Sequence, residues 1–384
     1  ETLHQLSVQL MNEGHAVHFI PVAKGPVHTS KIKTYYEDVD LFFSYAGNYA
    51  VGGSNSNGDQ ALLQDLMANR PFKFVIFMPI PLVSRPAIVK SFHSKYAKKP
   101  SGAIQTSWVY FDPDFLHQHE LFFDCRRSGV KVDALFKSPG VTPPENMRNI
   151  KKKPDIFFFA NIKPQKAKKL KYDQRSVLTC LEYYLANPEA DLIPEMMRLL
   201  DEDVSSAVAG SDFLDAVHYV LTAASNVQRV KLIKALPKMP CTIYTSVMDM
   251  QALFPSGLAT HPDCRIHSPL SYLETFHAIS PGDFVVCPPV WGMRNVFTDR
   301  CLTSMYRGAI PLVPNYGDHV PVFNSLEMGD VCFDVRRATS IAESIDHLLI
   351  SKSREEYSLK GHEFVANNCG FDQFYKTIRP VFGL

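Results

Sequence analysis

Short apolar runs alternate with stretches of helical spacing along most of the chain. Leu3, Leu6, Leu10 and Met11 share one face of a helix over 1–14 that Gly14 closes. Apolar runs at 15–22, 39–45, 73–79, 107–111 and 130–136 predict strands, with helices over 61–69 and 114–125 among them. A second alternation follows. Strands are expected at 155–160, 241–247, 283–288, 309–313 and 331–334, and helices at 176–185, 269–279, 298–306 and 338–350. A last helical stretch, 355–378, carries a break near Gly370. Helices alternating with short apolar strands imply parallel, doubly wound sheets.

Two α/β halves are therefore expected, with Pro139 to Pro154 between them as a Pro-, Gly- and Lys-rich linker. The boundaries read as 1–145 for an N-terminal Rossmann-like domain and 151–365 for a C-terminal one. The stretch 188–238 is a helical insertion in the second, acidic at its start (Glu189, Asp191, Glu195, Asp201, Glu202, Asp203). Residues 366–384 form a helix that can pack back on the first domain. The chain opens at Glu1 already in helical pattern, so a strand could precede it.

Composition narrows the field. A chain of 384 residues with 46% hydrophobic and 11% aromatic residues has the size and apolar content of two globular domains. The net charge of +1 creates no global demand for nucleic acid or membrane. No apolar run reaches membrane-spanning length. The eight cysteines show no C-x-x-C pair, and several sit in apolar runs. Reduced, buried thiols and a cytoplasmic setting are expected.

The stretch from Pro281 to Asn315 concentrates the candidate chemistry: a buried strand, a polar loop, then a helix capped by Thr298-Asp299 and stopped by Gly308. Free N–H groups and the helix dipole make such a strand-to-helix junction an anion site. Arg294 and Arg300 bracket it, and Thr303 lies one turn beyond Arg300. A second junction, 161–175, is strongly basic; its Lys163 and Arg175 could clamp a diphosphate. Ser268-Pro-Leu-Ser271 enters a short helix, where a cap is the simpler reading and a base edge held by main-chain groups the sharper one. The Gly52-Gly53 loop matches neither G-x-G-x-x-G nor G-x-x-x-x-G-K-[ST], and Asp59 after it reads as a helix cap. Glu1 stands at the first turn of the first helix. His117 and His119 diverge on a helix and no H-E-x-x-H occurs, so no metal site is expected. Arg85, Lys90, Lys95, Lys98 and Lys99 make a basic patch in the first half, readable as a solvated face or as a contact for DNA.

The order of these features resembles the glycosyltransferases of two-Rossmann (GT-B) architecture, and more narrowly the T-even bacteriophage DNA beta-glucosyltransferases. The resemblance rests on Glu1-Thr-Leu3, Gly25-Pro-Val-His-Thr-Ser30, Glu37-Asp-Val-Asp40, the Gly52-Gly53 loop, Ser107-Trp-Val-Tyr110, Gln174-Arg-Ser176, Ser268-Pro-Leu270, and Asn295-Val-Phe-Thr-Asp-Arg300 with Met305. It is collinear over most of the chain, and the insertion has no counterpart. It implies two Rossmann-like domains facing a cleft and a UDP-sugar donor. Arg175 and Arg300 would contact the diphosphate, Leu270 would offer its backbone to the uracil, and Glu1 would stand beside the catalytic centre. Two positions depart from the family pattern. Pro79 falls at the expected catalytic aspartate, and Thr303 at the expected ribose-binding glutamate.

Three functions follow as expectations. The first is a hexosyl- or pentosyltransferase that moves a sugar from a UDP-sugar, with no obligatory divalent metal, to a hydroxymethylated base in duplex phage DNA, acting in the host cytoplasm. Glu1 is the first candidate for its base and Asp59 the second. The second is an enzyme of the same architecture acting on a polysaccharide or protein. The third is an inactive member that binds DNA or a nucleotide.

Overall fold

The computed structural model of the chain describes residues 2–17, 40–45, 73–78, 105–110, 130–135, 150–159, 162, 170–203, 211–237, 239–246, 264–288, 298–317, 319–351 and 353–382. The chain forms two compact units. One holds Glu1–Gly140, Asp203–Leu214 and Phe371–Leu384; the other holds Val141–Glu202 and Asp215–Gly370. Each contains a parallel sheet, so the α/β class expected for a GT-B-like chain is observed.

In the first unit, strands β1 (Leu41–Tyr45), β2 (Lys73–Met78), β3 (Gln105–Tyr110) and β4 (Val130–Leu135) pair in parallel in that order. Helix α1 (Thr2–Asn12) ends at Gly14, whose φ of +90° suits a residue without a Cβ. Leu6 is buried, but Met11 is 51% exposed, so the apolar face is narrower than the spacing suggests. The C-terminal helix Phe371–Phe382 also belongs to this unit. It buries Phe374, Ile378 and Phe382 at i, i+4, i+8 and lies against α1, β2 and β4. Arg379 pairs with Glu13 beyond the end of α1 at 3.3 Å.

The second unit carries six parallel strands: β5 (Ile156–Phe159), β6 (Cys241–Tyr244), β7 (Cys264–His267), β8 (Phe284–Val286), β9 (Ile310–Pro314) and β10 (Cys332–Phe333). Their spatial order is β10-β9-β8-β5-β6-β7. Numbered within the unit, that is 6-5-4-1-2-3, the strand order of a Rossmann sheet. Every residue of β5, β8 and β9 is buried, as strands covered on both faces must be. Phe158, Phe284, Phe323 and Phe333 fill the core.

Pro311 inside β9 has a local reason. Ile310 donates to Asp283 and Leu312 accepts from Cys287, so these two residues bond toward β8. Pro311 points the other way, and β10 joins only from Val313 onward. No ladder bond is lost there.

The crossover from β5 to β6 holds α2 (Gln174–Ala186), α3 (Leu192–Leu200) and the long α4 (Ser211–Ala235). Beyond β7 come α5 (Tyr272–Ala278), α6 (Asp299–Tyr306), α7 (His319–Ser325), α8 (Ser340–Ile350) and α9 (Arg354–Asn368). The α6 helix closes in a Schellman turn. Gly308 at φ +68° donates to Met305 at 2.9 Å, and Ala309 donates to Ser304 at 2.8 Å. The Gly308 carbonyl then accepts from Gly282 N–H and from the Ser358 hydroxyl, tying α6, the approach to β8 and α9 together. Gly361 of α9 sits on Met305 of α6, where an added Cβ would stand 3.4 Å from its Cγ.

The amino ends of the strands are fastened by Asp283, which is fully buried. It accepts the N–H of Asp155 at 2.9 Å and of Ser280 at 3.0 Å, and lies 3.4 Å from Lys151 Nζ. Burial would lower Lys151, but its bond to Asp155 and the charge of Asp283 hold its pKa raised. Among the described residues, no helix is long and apolar enough to cross a membrane.

Candidate active site

The strand order reverses between β5 and β8, and ligands of open α/β sheets bind outside the carboxyl ends at such a switch point. Both strands run from there toward helix starts: β5 toward α2 and β8 toward α6. Each of these helices has an arginine at its second position, Arg175 and Arg300.

The two starts are capped differently. The Asp173 carboxylate caps α2, accepting Arg175 N–H at 2.9 Å and Ser176 N–H at 3.0 Å. The Ser176 hydroxyl, these N–H groups and the charge of Arg175 hold its pKa below the usual carboxylate range. A negative charge therefore already sits on the α2 terminus. Arg175 stands in the first helical turn and is exposed; the expected loop ends earlier, at Asp173. The α6 start is capped by a neutral group, the Thr298 hydroxyl, at a long 3.4 Å from Cys301 N–H.

Arg300 is half-buried. Its charge reaches Arg229 of α4, which is only 4% exposed. Burial pushes the Arg229 guanidinium down to about 10, and the charge of Arg300 adds to the effect. The two guanidinium groups add to one another's positive potential. Thr303 is 3% exposed, so it and Arg300 do not share a solvent-facing surface.

A row of rings crosses the outer half of the sheet. Phe157 and Phe159 share one face of β5, with centroids 5.9 Å apart and planes within 5°. Phe159 is in register with Tyr244, 5.0 Å away at 6°; Tyr244 is in register with His267, 5.5 Å away at 30°. The row passes from buried Phe159 through half-buried Tyr244 to exposed His267, at the carboxyl ends of β5, β6 and β7. A planar group could continue such a stack. Leu270 follows β7 and packs partly against the core. The helix after it, α5, is closed by a capping box: Glu274 N–H to Ser271 Oγ at 3.3 Å and Ser271 N–H to Glu274 Oε2 at 2.7 Å.

Arg175, Leu270, Arg300 and Thr303 thus lie in the second unit, after β5, β7 and β8. Glu1, Asp59, Lys163, Arg294, Arg85, Lys90, Lys95, Lys98 and Lys99 lie outside the described residues. Sequence reasoning missed Arg229, Tyr244 and His267. A signal for Arg229 existed, since it falls on the α4 stripe of Leu221, Ser225 and Leu232, all buried. Among the described residues, no group of three or more His, Cys, Asp or Glu could hold a metal ion.

No protein-family model and no curated protein matches the chain. Among solved structures it is similar to a glycosyltransferase from Rickettsia africae ESF-5, with 13% identity, 98% of this chain and 86% of that one covered, and a TM-score of 0.46. It is also similar to a GtfA/B complex, with 8% identity, 92% of this chain covered and a TM-score of 0.45. In that second case the chain spans 60% of the other's length.

Proposed function

We propose that the chain is a glycosyltransferase that draws on a nucleoside-diphosphate sugar, a UDP-sugar, and delivers the sugar to a hydroxyl group. The observation that carries this reading is the pair of switch-point strands, β5 and β8, each leading to a helix start with an arginine. Leaving of a nucleoside diphosphate builds negative charge on its phosphates, and Arg300, Arg229 and Arg175 are the described groups suited to meet it. The row from Phe159 to His267 suits the flat base, with the backbone at Leu270 beside it. The acceptor of first choice is a hydroxymethylated base in duplex DNA, flipped out to be reached. The basic patch from Arg85 to Lys99 would face the backbone, and Glu1 or Asp59 would take the acceptor proton.

Two observations keep other acceptors in play. The net charge of +1 suits a polysaccharide or protein acceptor, and Pro79 at the family's aspartate position suits an inactive binder. Calorimetric titration with UDP-glucose, followed by transfer assays on hydroxymethylated DNA, plain DNA and oligosaccharides, separates them. Absence of donor binding refutes the transferase reading. Turnover on oligosaccharide alone removes DNA as acceptor, and salt-dependent DNA binding without turnover favours the inactive binder.

A further inference from the structure

At the opposite, amino-terminal edge of the same sheet, β6 and β7 begin with a matched pair of cysteines. Cys241 and Cys264 are direct register partners of adjacent parallel strands. Ile243 and Ile266, one pleat further along, are partners too, and all four pack with the same side of the core. Neighbouring strands lie about 4.8 Å apart, inside the span of about 4.4–6.8 Å between Cα atoms that a disulfide bridges. The two thiols carry no disulfide in this structure. Cys241 is 4% exposed, whereas Cys264 is half-buried on β7, the last strand in the sheet order.

Their chemistry is unequal in a useful way. Burial pushes Cys180 up to about 11 and Cys332 up to about 12, and drives Cys301 well up. Cys264 moves down instead, because the Cys241 side chain hydrogen-bonds to it. Thiolate character, access to solvent and a second thiol at hand are what an oxidant-sensitive cysteine needs.

We propose that Cys241 and Cys264 form an oxidisable dithiol site, with Cys264 the thiol that meets a peroxide and Cys241 the one that resolves it. The Cys264 thiolate attacks one peroxide oxygen and the O–O bond breaks, giving a sulfenic acid and hydroxide. The Cys241 sulfur then attacks the sulfenic sulfur. Its S–H proton and the displaced hydroxyl leave as water, and the S–S bond forms. Two thiols are oxidised, one peroxide is reduced, and two waters result. The parallel ladder offers less than ideal Cβ geometry, so thiol reductants return the pair to its starting state. The bridge would pin β7, whose far end carries His267, to β6.

The test uses the full chain under native conditions. Hydrogen peroxide is added, remaining thiols are blocked with a maleimide, and peptides are mapped by mass spectrometry. A Cys241–Cys264 linked peptide should appear before any modification of Cys180 or Cys301 and vanish with dithiothreitol. In Cys241→Ser, Cys264 should instead accumulate as a sulfenic acid captured by dimedone; in Cys264→Ser, Cys241 should stay a thiol. The proposal is overturned if Cys264 of the unmodified protein reacts no faster than Cys180, or if other cysteines link while these two remain thiols.

Discussion

Replacing Arg300 by alanine tests the α6 start most directly. Arg300 is half-buried at the second position of α6, so a phosphate beside it is less screened by solvent than one beside an exposed group. A hydrogen bond between charged partners contributes about 1.5–3 kcal/mol. At about 1.4 kcal/mol per tenfold, Arg300→Ala should weaken UDP-glucose binding by about tenfold to a hundredfold. Arg175 is the internal control. It is exposed, and Asp173 already answers its charge and occupies its helix terminus. Arg175→Ala should cost less than about threefold, and less again in added salt. Arg300→Lys should fall between, keeping the charge and losing the forked donor. Isothermal titration with UDP-glucose, with thermal melts to show that each variant is folded, reads all three. Donor affinity unchanged in Arg300→Ala, or a greater loss in Arg175→Ala than in Arg300→Ala, would refute the assignment of the phosphates to α6.

Three further outcomes are expected. Pyrophosphate should raise the melting temperature of the wild type, because an anion offsets the like charge of Arg229 and Arg300, and should raise it less in Arg229→Met. Tyr244→Ala should weaken UDP binding by about fivefold or more, the scale of one lost ring–base stack, while leaving pyrophosphate binding as it was; equal losses for both ligands would displace the base from the ring row. Asp283→Asn should cost about 2–3 kcal/mol in urea titrations of the second unit, since an amide accepts through one oxygen where two N–H groups point. Burial raises the Asp283 carboxyl despite its bonds to Asp155 and Lys151. With a folded pKa above the unfolded value near about 3.9, its contribution is complete in acid below that value and declines as pH climbs through the raised one. Wild-type stability should therefore fall as pH climbs through that raised value, a slope that Asp283→Asn, with no titrating group there, should lack.

Much of the second unit was legible because its central strands are buried on both faces. The runs at 155–160, 283–288 and 309–313 have no polar alternation to confuse them, and Gly308 and Gly370 mark helix ends that the structure shows. Cys264–His267 was missed because only Cys264 and Ile266 face the core, and four residues with two polar ones give too weak a period. His319–Ser325 was missed because Pro321 reads as a breaker, although it stands in the first turn, where no intrahelical donor is lost. The start of α2 was placed late because Asp173 reads as loop and acts as cap. Thr303 shows the limit of spacing. Residues three apart are neighbours on a helix, yet the boundary between core and solvent passes between Arg300 and Thr303. Arg229, Tyr244 and His267 acquire meaning only through partners far along the chain, which strand register supplies and local pattern does not.

The two edges of the six-stranded sheet hold charge differently, and that contrast supports the proposed placement of the donor. At the amino edge the charges around Asp283 are answered. Asp283 accepts two backbone N–H groups and faces Lys151, which also holds Asp155, so nothing there calls for a ligand. At the carboxyl edge, where the strand order reverses, Arg175 and Arg300 each stand second in their helix. There the charge of Arg300 adds to burial in lowering the Arg229 guanidinium. A fold keeps like charges together at a cost of stability, and an anion bound between them offsets that cost. At the α2 start the Asp173 carboxylate already accepts two N–H groups. The α6 start is therefore the proposed place for the phosphates of a donor, with the ring row from Phe159 to His267 left for the base.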